Sequence, residues 1–308
     1  MMIPPDVVGI DVSKHHLDVF EASTGRTARL ANTAQAIGEL ADRLRHRFVV
    51  FEATGAYDAL LRRGLAGADV AFARVNPSQA RSFAKSAGFL AKTDAVDARM
   101  LAAMGAALRP RPAEPVEASR ERLAGLHKRR DQLVAQRKQE RTRRIEAADP
   151  DLIVDIDRHL VFLDGEIGAL ETRIGRLIAA EPQLRQIAQL VSSIPGIGPV
   201  TCATLMALMP ELGRRDPKTI AALAGLAPLN DDSGQRRGQR RIRGGRKRVR
   251  DALYLAAVAA TRSKSRFRSA YRRLRDNGKP PKLAFIAIAR KLVITANAII
   301  RDQQPFAA

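Results

Sequence analysis

Apolar and polar residues alternate in two different rhythms along this chain, and the changes of rhythm divide it into elements. Between residues 7 and 32 the alternation has a period of two, with Gly25 marking a turn, and predicts two or three strands. Residues 33–46 (TAQAIGELADRLRH) switch to a helical period. RFVVFEAT then predicts a buried strand, AYDALLRRGLAG a helix closed by glycine, and ADVAFARV another strand. Asn76-Pro77 opens the next helix, and a further helix runs through TDAVDARMLAAMGAALRP with Thr93 as its N-cap. Three strands followed by alternating helix and strand predict a mixed sheet covered by helices, an α/β domain over residues 1–110.

The proline-rich stretch 110–115 predicts a linker. From 118 to 180 the chain carries long charged faces with apolar residues at spacings of three and four. Leu123, Leu126 and Leu133 form one stripe, and Ile167, Leu170, Ile174 and Leu177 another. This pattern predicts two long helices folded as an antiparallel hairpin near AADPDL, a coiled-coil spacer over 111–185. Its Lys/Arg cluster is either a solvated face or a nucleic-acid contact. Residues 186–308 predict a mainly helical domain: an apolar helix, a Pro-Gly-x-Gly turn, a second apolar helix, a short helix at DPKTIAALAGLAP, a glycine-punctuated basic segment, and two closing apolar helices.

Charge changes what this fold is expected to meet. The 308 residues carry 53 Lys+Arg against 32 Asp+Glu, a net charge of +21. Nucleic acid is the leading partner, because many cations can neutralise phosphates and release counterions. No uninterrupted apolar run of membrane-spanning length and no secretory signal pattern is read, so the expectation is no membrane and a cytoplasmic, nucleoid-associated location. The single cysteine, Cys202, excludes an internal disulfide and a Cys-rich zinc site, and is expected to be a small buried residue. With no Trp and 4% aromatics, the chain is suited to gripping backbones rather than stacking bases.

Four carboxylates stand out against this basic background. Asp11 and Glu52 end or interrupt strands, while Asp94 and Asp97 share one helix face at i, i+3. Each alone could be a turn residue or an acid complementing a helix dipole. An unpaired Asp within VVGIDVS, however, has no packing reason to be there. Together the four meet the needs of a two-Mg²⁺ phosphoryl-transfer site. The turn at Gly196 and Gly198 resembles a helix-hairpin-helix whose backbone N–H groups face a phosphate, or it is a plain tight turn. Residues 236–250 hold nine Lys/Arg and no acid: Arg236, Arg237, Arg240, Arg241, Arg243, Arg246, Lys247, Arg248 and Arg250. They are expected to contact phosphates. Just before them, Ser233 is either an ordinary turn serine or a nucleophile toward a phosphodiester, with arginines stabilising the developing charge.

GIDVSK at 9–14, FEATG at 51–55, KTDAVDAR at 92–99, IPGIGPVTCATLMA at 194–207 and GLAPLNDDSGQRRGQRRIRGGRKRVRDALY at 225–254 follow one another in that order. Together they resemble the DEDD-type insertion-sequence transposases of the IS-one-ten group. The resemblance implies a RuvC-like, RNase H-type first domain, a coiled-coil spacer and a C-terminal transposase domain. It implies that Asp11, Glu52, Asp94 and Asp97 bind Mg²⁺, and that Ser233 attacks the DNA phosphate and is transiently bonded to a DNA end. It further implies a structured non-coding guide RNA that pairs with donor and target DNA. It also implies a homo-oligomer, dimer or tetramer, in which the tetrad of one protomer meets the serine of another. Two other readings compete: a Holliday-junction endonuclease using the same tetrad with water as nucleophile, and a non-catalytic nucleic-acid-binding protein. Tyr57, Lys85, Lys92 and Arg99 lie near the tetrad in sequence without an assigned role.

Overall fold

The computed structural model describes residues 6–89, 93–114, 117–229 and 241–307. The chain divides into two compact units, Met1–Pro115 and Val116–Ala308.

The first unit begins with an antiparallel meander, β1 (Val7–Val12), β2 (His16–Glu21) and β3 (Arg26–Ala31). It continues through α1 (Ala34–Arg43), β4 (Phe48–Glu52), α2 (Ala59–Gly67), β5 (Ala71–Val75), α3 (Pro77–Ser86) and α4 (Asp94–Leu108). The sheet order is β3-β2-β1-β4-β5, with β4 parallel to β1 and β5 parallel to β4. This mixed sheet is compatible with an RNase H-like domain. The predicted helix starts hold. The Thr33 side chain accepts from Ala36 N, Asn76 from Ser78 N at 2.8 Å, and Thr93 from Val96 N at 3.3 Å.

Alternation along the strands sorts the core into two layers. Val8, Ile10, Val12, Leu17, Val19, Val49 and Phe51 pack with Ile37 and Leu40 of α1 and Leu61 and Leu65 of α2. The opposite face presents Val7, Phe48, Val50, Ala73 and Val75 to Met100, Leu101 and Met104 of α4 and Ala80 of α3. On that second face Gly9 lies between Val7 and Asp11. A Cβ built on Gly9 would stand 1.9 Å from the Ala98 carbonyl oxygen and 2.5 Å from the Ala102 nitrogen. The α4 backbone therefore rests directly on β1. Gly105, one helical face along, makes the matching approach to Val7 and Val50.

The second unit opens with the predicted hairpin, α5 (Ala118–Glu146) and α6 (Pro150–Ala180), with Asp149 capping α6 ahead of Pro150. Then follow α7 (Pro182–Ser192), α8 (Pro199–Leu208), α9 (Pro217–Leu223), β6 (Pro228–Leu229), β7 (Arg241–Ile242), α10 (Lys247–Ala260), α11 (Arg266–Asp276) and α12 (Pro281–Asp302). The hairpin has a small core of its own, built by Leu133, Leu163, Ile167 and Leu170. At its base, Leu123, Ile174 and Leu177 join the large core made by α7, α8, α10 and α12. The helices read as a spacer thus share their lower half with the C-terminal helices.

Two features depart from the sequence expectation. Helix α11 carries five arginines in eleven residues, which hide its stripe of Phe267, Ala270, Tyr271 and Leu274. The two-residue strands β6 and β7 are too short for any alternation to show. Helix α12 is long and apolar enough on average to cross a membrane by length and composition, but Arg290 and Lys291 interrupt it, in keeping with the expectation of no uninterrupted apolar run. Here it serves as a core helix: Ile288, Leu292, Val293 and Ala296 are fully buried against α10 and its neighbours.

Gly9→Ala is expected to destabilise the protein by about 1–3 kcal/mol or more, since the new methyl meets backbone that cannot swing away. Urea unfolding of the variant should show a lower midpoint with an unchanged slope.

Candidate active site

The close seating of α4 on β1 brings the four predicted carboxylates to one place. Asp11 faces α4 by the alternation of β1, and Glu52 ends β4 one step beyond the pair Ile10–Phe51, which puts it on the same face. Thr93 caps α4, so Asp94 and Asp97 fall in its first turn, where the helix dipole favours negative charge. All four line a single cavity of about 650 Å³, together with Thr54, Met100 and Leu101. Helix α3 contributes Arg81, Ala84 and Lys85 to its wall, and Val12 and Phe89 complete the lining.

The loop after Glu52 is pinned from below. Asp58 is fully buried and accepts from Arg62 Nε at 3.1 Å, Arg74 Nε at 2.6 Å and the Thr54 backbone N–H at 3.2 Å. Removing one partner of such a buried pair typically costs about 3–5 kcal/mol, so the position of Thr54 beside Glu52 is firmly set.

A row of charges crosses the meander next to the cavity. Asp11 stands opposite Asp18, and Asp18 opposite Arg29. The Arg29 guanidinium donates to both Asp18 carboxylate oxygens at 2.9 and 3.0 Å and to Asp94 at 2.7 Å. The carboxylates strain against one another electrostatically. Burial first, then the neighbouring charges of Asp97 and Asp94, push the Asp11 carboxyl up to about 6; a backbone hydrogen bond from Val12 opposes the rise and Asp18 adds to it.

These are hard oxygen donors with an excess of negative charge that a divalent cation would relieve, so the residues fit a Mg²⁺-type ion in kind. Among the described residues, no group of three acidic, His or Cys side chains is drawn together closely enough to grip one ion as it stands. Arg29 holds Asp94 by an ion pair, and a metal would have to compete with that contact.

Asp18, Arg29 and Arg81 were missed by sequence reasoning. The first two look like solvent-facing strand residues until the register pairs them. Lys85 lines the cavity. Arg99 lies over the Phe20 ring, 5.9 Å from its centroid. Tyr57 is half exposed, and its carbonyl accepts from Asn32 Nδ2 at 3.0 Å. Lys92 lies outside the described residues.

In the second unit the Pro-Gly-x-Gly turn joins α7 to α8 as expected. Its two glycines play different parts. Gly196 has φ +87°, and a Cβ there would stand 2.4 Å from the Ala256 carbonyl oxygen, so the turn is seated on α10. Gly198 is exposed at the N-terminus of α8 with open space around it, the end that could meet an anion. The basic segment is partly committed inside the fold. Arg246 donates to Glu211 at 2.6 and 2.7 Å, and Arg248 to Asp131 at 2.5 and 3.0 Å. Lys247 pairs with Asp251 at 2.6 Å, and Arg250 donates to the Gly244 carbonyl at 2.8 Å. Arg241 and Arg243 are exposed, with no carboxylate partner among the described residues. Ser233, Arg236, Arg237 and Arg240 lie outside the described residues. The pairing of β6 with β7 sets Pro228 opposite Ile242 and Leu229 opposite Arg241. Cys202 is buried as expected, and burial pushes its thiol up from the ordinary range.

A mixed sheet of this order, with four carboxylates from its inner strands β1 and β4 and from α4 lining one cavity, is compatible with an RNase H-like domain. Comparison with known proteins goes further. Residues 8–149 match a family model described as a transposase with a DEDD motif of the IS110 type, and residues 188–272 match the Transposase IS116/IS110/IS902 family. The chain is 31% identical over 312 residues to the pilin gene-inverting protein of Moraxella lacunata, covering 97% of each chain, and equally so to that of Moraxella bovis. It is also 31% identical over 157 residues, 50% of this chain and 38% of the other, to a 44.8 kDa protein of insertion element IS116 from Streptomyces clavuligerus. The chain belongs to the IS110 family of transposases and is a DNA transposase/recombinase.

The raised Asp11 carboxyl carries a sign. Because its folded value lies above the unfolded 3.8, the folded state holds the extra proton between about pH 4 and 6, and stability falls as pH rises through that window. Without divalent cations, Asp11→Asn should therefore be more stable than wild type above pH 6, by on the order of 1 kcal/mol after allowing for solvent screening, and equal to it near pH 3.5. Urea melts of the two proteins in a chelator at both pH values measure the difference.

Proposed function

We propose that this transposase breaks and rejoins DNA with Mg²⁺ held by Asp11, Glu52, Asp94 and Asp97 and with Ser233 as the nucleophile. The observation that carries the proposal is the convergence of the four carboxylates, from two strands and one helix, on one cavity. When bound, the metal supplies electrophilic stabilisation of the phosphate and its leaving oxygen. The protein's own groups do the rest. The Ser233 hydroxyl loses its proton and its oxygen bonds to phosphorus, while one strand oxygen departs and takes up a proton. The exchanged phosphodiester stays in a covalent serine ester, so a second strand oxygen can reverse the step with no external energy source. Arg241 and Arg243, exposed beside the segment that carries Ser233, suit the stabilisation of phosphate charge there.

Breaking and rejoining suits both kinds of relative: proteins named for inverting a pilin gene and proteins of insertion elements. The family resemblance adds a structured guide RNA, donor and target DNA as partners, and a homo-oligomer in which one protomer's carboxylates serve another's serine. A chain with a net charge of +21 and 4% aromatics is well made for holding backbones while base pairing chooses sequence.

A denaturing gel tests the chemistry. Wild type incubated with Mg²⁺, element-end DNA and transcripts of the flanking non-coding region should give a protein band linked to DNA, and Ser233→Ala should give none. Asp11→Ala should lower strand exchange by at least about 100-fold, on the scale of losing a principal electrostatic element of an active site. Cleaved DNA without any adduct in either protein would instead establish water as the nucleophile.

A further inference from the structure

The cations around the acidic cavity are unequally engaged. Arg29 is held by Asp18 and Asp94, Arg62 and Arg74 by Asp58, and Arg99 lies over Phe20. Arg81 and Lys85 differ from all of these. Both are exposed, both line the cavity that holds Asp11, Glu52, Asp94 and Asp97, and neither has a carboxylate within ion-pair distance among the described residues. Two free cations bordering a cavity with four acids would gain by pairing if they could reach them. Their standing apart leaves room between the two charge signs for a third group.

Helix α3 fixes this placement. Arg81 and Lys85 are spaced i, i+4 and so project from one face. The adjoining face is anchored by Ala80, fully buried, with Phe83 and Ala84 packed against the same core. The helix is capped by Asn76, and the Ser82 and Ser86 hydroxyls are turned back onto the carbonyls four residues earlier. Among the described residues, neither cation is taken up by a hydrogen bond or ion pair to a side chain of its own helix.

A carboxylate cluster repels a polyanion, so a strand approaching it needs cations on its path. We propose that Arg81 and Lys85 form a phosphate-binding rail that holds the backbone of the nucleic-acid strand entering the acidic cavity, a role that rests on the reading of that cavity as the site of phosphoryl transfer. Arg81 offers a planar fork matched to two phosphate oxygens and Lys85 a mobile point charge for an adjacent phosphate. Such contacts fix the register of the strand and carry no sequence information.

The test uses the full-length protein, element-end DNA and Ca²⁺ in place of Mg²⁺. Binding is followed by fluorescence anisotropy across a series of salt concentrations for wild type, Arg81→Gln, Lys85→Gln and the double variant. Each substitution should weaken binding several-fold on element-end and unrelated DNA alike, and should reduce the salt slope by about 1, the contribution of one phosphate contact. Lys85→Arg should restore the slope. In parallel, the rise in melting temperature on adding divalent cation should be the same in the double variant as in wild type, which keeps loss of the rail distinct from loss of the acidic site. An unchanged affinity and slope, with the cation-induced rise intact, overturns the rail alone. Absence of any cation-induced rise in wild type overturns the acidic-site reading, and the rail with it.

Discussion

The first unit depends on one contact, the α4 backbone lying against β1 across the bare Cα of Gly9. Any side chain at that position would lift the helix by the thickness of at least a methyl group. The consequence is positional: Asp94 and Asp97 belong to the first turn of α4, and Asp11 is two residues beyond Gly9 on the same face of β1. The seating of the helix therefore sets the distance between the acids of the helix and those of the strands. Apolar packing by Met100, Leu101 and Met104 supplies the attraction, and the two glycines define how close it can draw.

Much of this arrangement was legible before the fold was known. The period-two runs, the caps at Thr93 and Asn76 and the leucine stripes of the hairpin each carry a local signature that tertiary packing did not override. Asp11 stood out for a different reason, since charge within an apolar strand is costly and needs a purpose, and Glu52 at a strand end and Asp94 and Asp97 on one helix face joined it as a combination. What stayed hidden needed register or distance. Asp18 and Arg29 become partners only once β2 and β3 are paired. Helix α11 buries so little that its arginines mask it, and β6 and β7 are held by pairing rather than by pattern.

The basic segment shows the same limit from the other side. By sequence, residues 236–250 contain no acid to balance nine cations. In the fold, Glu211 and Asp131 arrive from elsewhere in the second unit and take Arg246 and Arg248. Burial pushes the Asp131 carboxyl up, but Arg248, His127 and Arg130 together hold it below its ordinary value. A cluster of like charge in a sequence is thus not all available for binding: part of it ties α10 into the fold, and the exposed Arg241 and Arg243 have no carboxylate partner among the described residues.

That tie has a mechanical side. Asp131 links α5 to Arg248 of α10, and His127, one turn earlier on α5, meets the Thr204 hydroxyl of α8 at 2.8 Å. The hairpin is therefore clamped near its base by polar contacts to two other helices. From His127 to the end of α5 at Glu146 the helix continues for about 28 Å, at roughly 1.5 Å per residue, stiffened by the small cluster around Leu133 and Leu163 and by the ion pairs Arg130–Glu171, Arg137–Asp164 and Arg144–Asp157 to α6. It is a lever on a fixed fulcrum. A tilt of about 5° at the clamp sweeps the tip through roughly 2.5 Å, so whatever the tip touches feels small adjustments at α8 and α10 in magnified form.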